Sequence, residues 1–374
     1  MRVGVPSEVK NHEYRVALTP AGVQELVGHE HEVFVQRGAG VGSSIPDEDF
    51  AAAGAKVLDT AQDVWGTAQL VLKVKEPIAE EYEQMRADQV LFTYLHLAAS
   101  RPCTEALLAS GTTAIAYETV QLPDGSLPLL APMSEVAGRM ASQAGAHFLE
   151  RVQGGRGVLM GGVSGVYAAK VVVLGAGVSG MNAAAIALGM QAEVLLLDRN
   201  VARLREADRI YQGHMQTIAS NGYEVERAVL DADLVIGAVL VAGAKAPTLV
   251  SNDLVSRMRP GSVLVDISVD QGGCFADTRA TTHDDPVFRV HDSTFYCVAN
   301  MPGAVPHTST YALTNITLPY VVALADRGWQ AACGNDPALA AGLSVHDGAL
   351  VSAPVAQAHH LPLHPLSDVL GATA

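Results

Sequence analysis

Hydrophobic positions along this chain fall in short continuous runs, separated by helix-like stretches and turn residues. Continuous apolar runs are typical of strands that are buried on both faces, as in parallel sheets covered by helices. In the first third of the chain, helices are predicted from about residue 20 and near 61–67. This alternation predicts an α/β fold with mainly parallel strands at RVGVP, HEVFVQ, LVLKV, VLFTYL and TAIAYETV.

A second group of strands follows a turn segment at 122–128 and a glycine-rich segment at 153–165. A long helix near 133–153 is predicted between the two groups, and a helix with a proline near its middle follows the last strand. That last helix is predicted to pack back on the first domain, which makes the second group an insertion. The predicted boundaries are 1–130, 131–305 and 306–374, and the strands of the second group are KVVVL, VLLL, DLVIGAVL, SVLVDISV and FYCVA.

Residues 170–198 contain, in order, an apolar strand, a glycine turn, an alanine-rich helix, a second strand and an acidic residue. This is the order of a dinucleotide-binding unit. Gly175 permits a tight turn, Gly177 lets the backbone approach a pyrophosphate, and Gly180 lets the next helix pack closely. That helix is predicted to begin near Val178, where unpaired N–H groups favour an anion. An ordinary glycine turn is the alternative. The alanine-rich helix and the acid after the second strand favour the cofactor.

Asp198 ends the second strand, 23 positions after Gly175. A carboxylate at this spacing accepts hydrogen bonds from the adenosine ribose and repels a 2′-phosphate. NAD is therefore predicted as the cofactor. Arg199 and Arg203 lie close enough to keep NADP as an alternative.

Composition narrows the class of protein further. The chain has 374 residues, 49% of them hydrophobic and 17% charged, which is typical of a globular protein with two domains. A net charge of −15 without a basic tract argues against nucleic acid and anionic membranes as partners. The cysteines at 103, 274, 297 and 333 form no CxxC pair, so we expect unpaired buried thiols, no metal site and a cytoplasmic location.

Polar residues beyond the predicted strands are candidates for chemistry, because ligands of open α/β sheets bind at the carboxyl ends of the strands. Lys75 follows LVLKV, His96 follows VLFTYL, Asp270 follows SVLVDISV and Asn300 follows YCVA, while Arg15 lies in a polar loop after the first strand. A guanidinium suits a small carboxylate and an imidazole suits proton transfer. Solvated cations, a core histidine and a turn-forming aspartate are the structural alternatives.

Other chemistries lack their motifs. The sequence contains no G-x-S-x-G elbow, P-loop or HExxH motif. This absence argues against acyl transfer by a serine and against zinc-assisted hydrolysis, and it leaves metal-free hydride transfer.

Eight blocks occur in order: MRVGVPSEVKNHEYRVALTPAG, VLKVKEP, LFTYLHLA, LLAPMSEVAGR, QGGRGVLMGGV, DLVIGAVLVAGAKAP, VLVDISVDQGGCF and YCVANMPGAVPHTSTYALTN. In these blocks the chain resembles the NAD-dependent alanine dehydrogenases over nearly its entire length. The resemblance implies two Rossmann-like domains with mainly parallel sheets, the cofactor domain being inserted into the substrate domain. It also implies a homohexamer that reversibly deaminates L-alanine to pyruvate and ammonium, with hydride transfer to NAD.

The resemblance also implies roles for individual residues. Arg15 and Lys75 would bind the substrate, while His96 and Asp270 would be the catalytic pair, with His96 taking a proton from the attacking water. Some family members have Thr-Ala in place of Val178 and Ser179. The implied substrate-pocket residues are Tyr94, Met133, Asn300 and Met301. The implied cofactor residues are Ser134, Gly175, Gly177, Val178, Ser179, Gly180, Asp198, Arg203, Ser220, Val239, Leu240, Ile267, Asp270, Arg279, Val298, Asn300 and Met301.

Two other families share this type of fold and remain alternatives. The soluble NAD(H)-binding subunit of proton-translocating transhydrogenase binds the dinucleotide without amine chemistry. Its pattern lacks the lysine of KVKEP, so Lys75 together with Arg15 and His96 favours an enzyme that binds an amino acid. Saccharopine dehydrogenase, the second alternative, would need a more open pocket for its larger substrate.

Overall fold

The computed structural model of the protein describes residues 1–239 and 246–371, and these form two compact units. The terminal unit consists of residues 1–133 and 305–374, so both ends of the chain contribute to it. The inserted unit consists of residues 134–304.

The N-terminal part of the terminal unit alternates strands and helices, as the hydrophobic pattern predicts. Side chains cap two of the helices: Thr19 accepts a hydrogen bond from the amide of Gly22, and Ser100 accepts one from the amide of Cys103. The elements are β1 (Arg2–Val5), α1 (Pro20–Gly28), β2 (Glu32–Gln36), α2 (Asp47–Ala52), β3 (Lys56–Leu58), α3 (Ala61–Thr67), β4 (Leu70–Leu72), β5 (Val90–Thr93), α4 (Arg101–Ser110) and β6 (Thr113–Ala116).

The boundary between the two units falls within helix α5 (Ala131–Phe148). The inserted unit continues with β7 (Lys170–Leu174), α6 (Val178–Gly189), β8 (Glu193–Asp198), α7 (Val201–Tyr211), β9 (Gln216–Ala219), α8 (Gly222–Leu230), β10 (Leu234–Gly237), α9 (Asn252–Ser256), β11 (Val263–Asp266), β12 (Val287–Val290) and β13 (Ser293–Tyr296).

The last segment of the chain returns to the terminal unit and opens with the predicted proline-containing helix. This helix contains Pro319 and is kinked at Gly328, which has φ 73°. The elements are α10 (Pro306–Asn335), α11 (Pro337–Gly342), β14 (Leu343–His346), β15 (Ala349–Leu350), α12 (Ala353–His359) and α13 (Leu366–Leu370).

The two sheets share one topology. The terminal sheet has the order β15-β14-β6-β5-β4-β1-β2-β3, and the inserted sheet has the order β12-β13-β11-β10-β7-β8-β9. In each sheet six strands are parallel and follow the Rossmann order, while β12, β14 and β15 pair antiparallel at an edge. The strand order reverses between β1 and β4 in the terminal sheet and between β7 and β10 in the inserted sheet. The predicted α/β fold with mainly parallel sheets is confirmed.

The central strands of the inserted sheet are buried on both faces, which explains why these strands are continuous apolar runs. Val171 and Val173 pack in one hydrophobic cluster, whereas Val172 and Leu174 of the same strand pack in the other. Alternate residues of a strand point to opposite faces, so a strand covered on both sides needs apolar residues at every position. Within the described part of the chain, no helix has the length and apolar character needed to cross a membrane.

Candidate functional site

Three of the predicted site residues follow neighbouring parallel strands of the terminal sheet. Arg15 lies in the loop after β1, Lys75 follows β4, and His96 follows β5. The strands pair in the order β1-β4-β5, so their carboxyl ends meet at one edge of the sheet, beside the point where the strand order reverses. Ligands of open α/β sheets bind at such a point.

Arg15 is buried, and its guanidinium forms a two-pronged ion pair with Glu13. Its Nε lies 2.6 Å from Oε1 of Glu13 and its Nη2 lies 2.5 Å from Oε2. Burial lowers the pKa of Arg15, but the charge of Glu13 outweighs this effect, and the pKa stands above its usual value. The Nη1 group lies 2.9 Å from the sulfur of Met133, so two predicted substrate residues are in contact.

Lys75 is half-buried, and its backbone is held on both sides. Glu8, in the loop after β1, accepts hydrogen bonds from the amides of Val74 at 2.6 Å and Lys75 at 3.4 Å. The hydroxyl of Thr93 donates to the carbonyl of Lys75 at 3.1 Å. Strand β4 ends at Leu72. Lys75 therefore lies three residues beyond the strand, whereas the run LVLKV predicts that it follows the strand directly.

Lys73 directly follows β4 and is completely buried. Its ammonium lies 3.0 Å from a carboxylate oxygen of Glu8 and 2.8 Å from one of Glu81. Burial lowers the pKa of Lys73, but the charges of Glu8 and Glu81 outweigh burial and hold its pKa above the usual value. This network was not predicted from the sequence. A lysine inside the apolar run LVLKV was the signal that could have revealed it.

His96 is exposed and has a left-handed backbone, with φ 48°. Such a conformation costs about 1–2 kcal/mol in a residue with a side chain. The amide of His96 donates to Glu118 at 2.6 Å, and its ring lies parallel to that of Tyr94, with centroids 5.9 Å apart. The hydroxyl of Tyr94 donates to the carbonyl of Leu129 at 2.5 Å, and burial raises the pKa of this tyrosine well above its usual value.

In the inserted unit, the glycine turn has the close approaches that the motif predicts. Gly175 has φ 105°, and a Cβ on it would lie 2.6 Å from the carbonyl oxygen of Ala238. A Cβ on Gly180 would lie 1.8 Å from the carbonyl oxygen of Gly175. Gly177 is the N-cap of α6, and the nearest atom to a Cβ there would be Nη1 of Arg203, at 3.8 Å. The N-terminus of a 12-residue helix is therefore open above Gly177, so the turn fits a dinucleotide pyrophosphate.

Asp198 ends β8 as predicted and supports the glycine turn. Its Oδ2 accepts a hydrogen bond from the amide of Ala176 at 2.6 Å, and its Oδ1 accepts one from the amide of Asn200, also at 2.6 Å. Nη1 of Arg203 lies 4.0 Å from Oδ2. The carboxylate thus holds the glycine turn through the amide of Ala176. Its charge lies where the motif predicts the adenosine ribose.

Helix α5 brings a further predicted cofactor residue toward the turn. A Cβ on Gly138 would lie 2.2 Å from the carbonyl oxygen of Ser179, so α5 and α6 touch backbone to backbone. Ser134 lies four residues before Gly138 and therefore on the same face of α5.

The other predicted cofactor residues are distributed along the same edge of the inserted sheet. Ser220 follows β9 and donates its amide to the carbonyl of Asp198 at 2.9 Å, and Ile267 follows β11. Arg279 is stacked over the ring of Phe288, at 4.2 Å. The remaining members of this group are Val178 at the first turn of α6, Val239 after β10, and Val298, Asn300 and Met301 after β13. Leu240 lies outside the described residues.

Asp270 does not directly follow its strand, because β11 ends at Asp266. Asp270 is exposed in the short turn at 269–271. Asp266 is buried and accepts hydrogen bonds from the amides of Ser268 and Cys274 at 3.0 and 2.8 Å. Burial raises the pKa of Asp266 despite these bonds. Asp266, which holds the turn that carries Asp270, was not predicted from the sequence.

Asn300 and Met301 lie beyond β13 and differ in exposure. Asn300 has φ 62° and is half-buried, and its carbonyl accepts a hydrogen bond from Nε2 of His283 at 3.2 Å. Met301 is 3% exposed. All four cysteines lie among the described residues and are buried without disulfides, as predicted. Among the described residues, no group of three or more histidine, cysteine, aspartate or glutamate side chains could hold a metal ion.

Comparisons with known proteins agree with this architecture. Residues 4–137 match the family described as Alanine dehydrogenase/PNT, N-terminal domain, and residues 141–353 match Alanine dehydrogenase/PNT, C-terminal domain. A relative from Mycolicibacterium smegmatis, named alanine dehydrogenase, is 64% identical over 99% of this chain and 100% of its own.

Solved structures give the same result. A structure named L-alanine dehydrogenase superposes with a TM-score of 0.94 at 52% identity, covering 96% of this chain and 99% of the other. The transhydrogenase from Sinorhizobium meliloti superposes with a TM-score of 0.80 at 27% identity, covering 94% and 99%. The two matched domains and these similarities together establish that the chain belongs to the alanine dehydrogenase/PNT family.

Proposed function

We propose that the protein catalyses the reversible oxidative deamination of L-alanine to pyruvate and ammonium, with NAD as the hydride acceptor. One observation carries the proposal: Arg15, Lys75 and His96 follow neighbouring strands at one edge of the terminal sheet. This arrangement offers a cationic grip for a carboxylate and a base for a proton. The relatives named alanine dehydrogenase, at up to 64% identity, support the choice of substrate.

The chain's own residues account for the steps around the amino acid. NAD, when bound, supplies the hydride acceptor. In our proposal Arg15 binds the carboxylate of alanine, and its rigid pairing with Glu13 fixes the direction of the guanidinium. Lys75 stabilises the oxygen that develops at the substrate carbon.

His96 acts as the general base in this proposal. After the hydride has left the Cα of alanine, a water molecule adds to the resulting iminium carbon and loses its proton to the imidazole. The imidazolium then returns its proton to the nitrogen, and the carbon–nitrogen bond breaks as the new hydroxyl gives up its proton. The nitrogen takes up that proton and leaves as ammonium, and pyruvate remains. Asp270 is proposed to help place the amine or the nicotinamide ribose.

NAD is proposed over NADP because of the charge of Asp198. Its carboxylate is fixed by the amides of Ala176 and Asn200, so it has little freedom to move away from a 2′-phosphate. Arg203 lies close to this carboxylate and is the group most able to offset the repulsion.

We further propose a homohexamer located in the cytoplasm. The family resemblance suggests the hexamer, and the four buried thiols without disulfides fit a reducing compartment. Light scattering on the protein as it elutes from a size-exclusion column would measure the mass of the assembly directly. A mass of one or two subunits would contradict the hexamer.

The enzymatic proposal is tested by following NADH absorbance with purified protein, L-alanine and NAD, and again with NADP. We expect NADH formation that depends on alanine, a poor rate with NADP, and a loss of at least about a hundredfold in His96→Ala. His364→Ala is the matched control, because this histidine is exposed near the C-terminus. Equal rates for His96→Ala and the parent would contradict the role of His96. NADH binding without any alanine-dependent turnover would instead support the transhydrogenase-type alternative.

A further inference from the structure

Glu118 links the loops after two neighbouring strands of the terminal sheet. Strands β5 and β6 are parallel, with Thr93 opposite Ala116, so Leu95 and Glu118 leave the sheet side by side. The two carboxylate oxygens of Glu118 lie 3.2 and 3.1 Å from the amide nitrogen of Leu95. One of them also lies 2.6 Å from the amide nitrogen of His96.

The loop that carries His96 needs such an acceptor. His96 has a left-handed backbone and begins a short 3-10 turn, at which no side chain of its own provides a cap. Amides at the start of a helical turn have no partner within the turn. A carboxylate makes shorter and stronger hydrogen bonds to amides than a neutral oxygen does, so the half-buried Glu118 fixes the backbone from which the imidazole projects.

We propose that Glu118 is a positioning residue for His96, an inference that rests on the proposed function of His96 as the base. Glu118 accepts from the backbone amide of His96, while the ring of Tyr94 lies parallel to the imidazole. The binding of the substrate carboxylate is expected to stay intact without Glu118, because Arg15 is held separately by Glu13.

A double-mutant cycle tests this inference. We expect Glu118→Ala to lower kcat by about 10- to 100-fold, since a misplaced catalytic group loses about that much. The KM for L-alanine should change by less than about twofold, because uniform binding is retained. In a His96→Ala background, adding Glu118→Ala should lower kcat by less than about twofold, because residues that act as a unit are not additive.

The outcomes are distinguishable. Equal losses from Glu118→Ala in both backgrounds would overturn the positioning role and leave a general structural one. Full activity of His96→Ala would instead refute the proposed function on which the inference rests.

Two further variants guard against loss of the fold. Glu118→Gln keeps one carbonyl oxygen that can accept from both amides, so we expect kcat within about fivefold of the parent. Glu105→Ala is the control, because Glu105 is exposed on α4 and pairs with Arg101 at the surface. Should Glu118→Ala not fold, the cycle is run with Glu118→Met, which keeps the length of the side chain but cannot accept from the two amides, and equal losses in both backgrounds again overturn the proposal.

Discussion

The buried lysine that follows β4 offers the sharpest test of how the terminal unit is stabilised. Lys73 is 0% exposed, and its two partners Glu8 and Glu81 are 3% and 4% exposed. The substitution Lys73→Met keeps the length and apolar stem of the side chain but removes the ammonium. Two buried carboxylates are then left without their counter-charge, a change that costs about 3–5 kcal/mol.

The expected size of the effect follows from the size of the unit. The terminal unit has about 200 residues, and in a unit of that size 1 kcal/mol shifts the melting temperature by about 2–4 °C. Lys73→Met should therefore lower the melting temperature by about 6–20 °C at about pH 8. Both tryptophans of the chain, Trp65 and Trp329, lie in the terminal unit, so tryptophan fluorescence follows the unfolding of this unit.

The effect should depend on pH with a defined sign. The pKa of Lys73 is raised in the folded protein, so the stability it contributes is present below its usual pKa of 10.5 and is lost as pH rises through the folded value. Burial already raises the pKa of Glu8, and removing Lys73 takes away the charge that lowers it. Without Lys73, the carboxyl of Glu8 binds a proton more readily. The loss of melting temperature in Lys73→Met should therefore become smaller as the pH falls.

Two comparisons make this reasoning refutable. Lys56→Met removes an exposed lysine that pairs with Glu32 on the same sheet, and it should shift the melting temperature by less than about 4 °C. Adding Glu8→Gln and Glu81→Gln to Lys73→Met should recover most of the loss, because neither partner of Lys73 then carries a buried charge. A shift for Lys73→Met no larger than that of Lys56→Met would refute the argument, and so would a triple variant as unstable as the single one.

Three further predictions concern the two sites and the thiols. Gly180→Ala should abolish NADH binding in a fluorescence titration, because its Cβ would lie 1.8 Å from the carbonyl oxygen of Gly175. Gly189→Ala on the same helix is the control: its Cβ would have no atom within 4 Å, so this variant should bind NADH as the parent does. Arg15→Lys should raise the KM for L-alanine by at least about tenfold in steady-state kinetics, because a lysine cannot keep both the two-pronged pair with Glu13 and the grip on the substrate; an unchanged KM would contradict this role. Burial raises the pKa of all four cysteine thiols to about 11 or about 12, so we expect no reaction with a thiol reagent at about pH 8 until the protein unfolds, and rapid labelling of the native protein would contradict their burial.

Much of the fold could be predicted from the sequence because it depends on local pattern. Continuous apolar runs predicted the parallel strands, and the glycine turn predicted a helix that does begin at Val178. Short or half-exposed elements were missed, such as β3 and the antiparallel edge strand β12. Such strands bury few side chains, so they leave only a weak hydrophobic signal.

The candidate site divides in the same way. Lys75, His96 and Asp198 could be selected from the sequence, because each is a polar residue close to the end of an apolar run, and Arg15 because it lies in the polar loop after the first strand. The residues that hold them could not, since a glutamate is ordinarily a surface residue. Only the structure shows which glutamates hold these residues: Glu8 accepts from the amide of Lys75, Glu13 pairs with the guanidinium of Arg15, and Glu118 accepts from the amide of His96.

The sequence by itself determined the class of fold, the cofactor turn and the types of reactive side chain, because each depends on residues close together along the chain. The tertiary structure alone decided which charges are buried together. Glu8 and Lys73 are 65 positions apart and meet only because β1 and β4 are neighbours in the sheet. The strand order therefore sets the buried electrostatics, and the hydrophobic pattern of an individual strand contains no information about its neighbour.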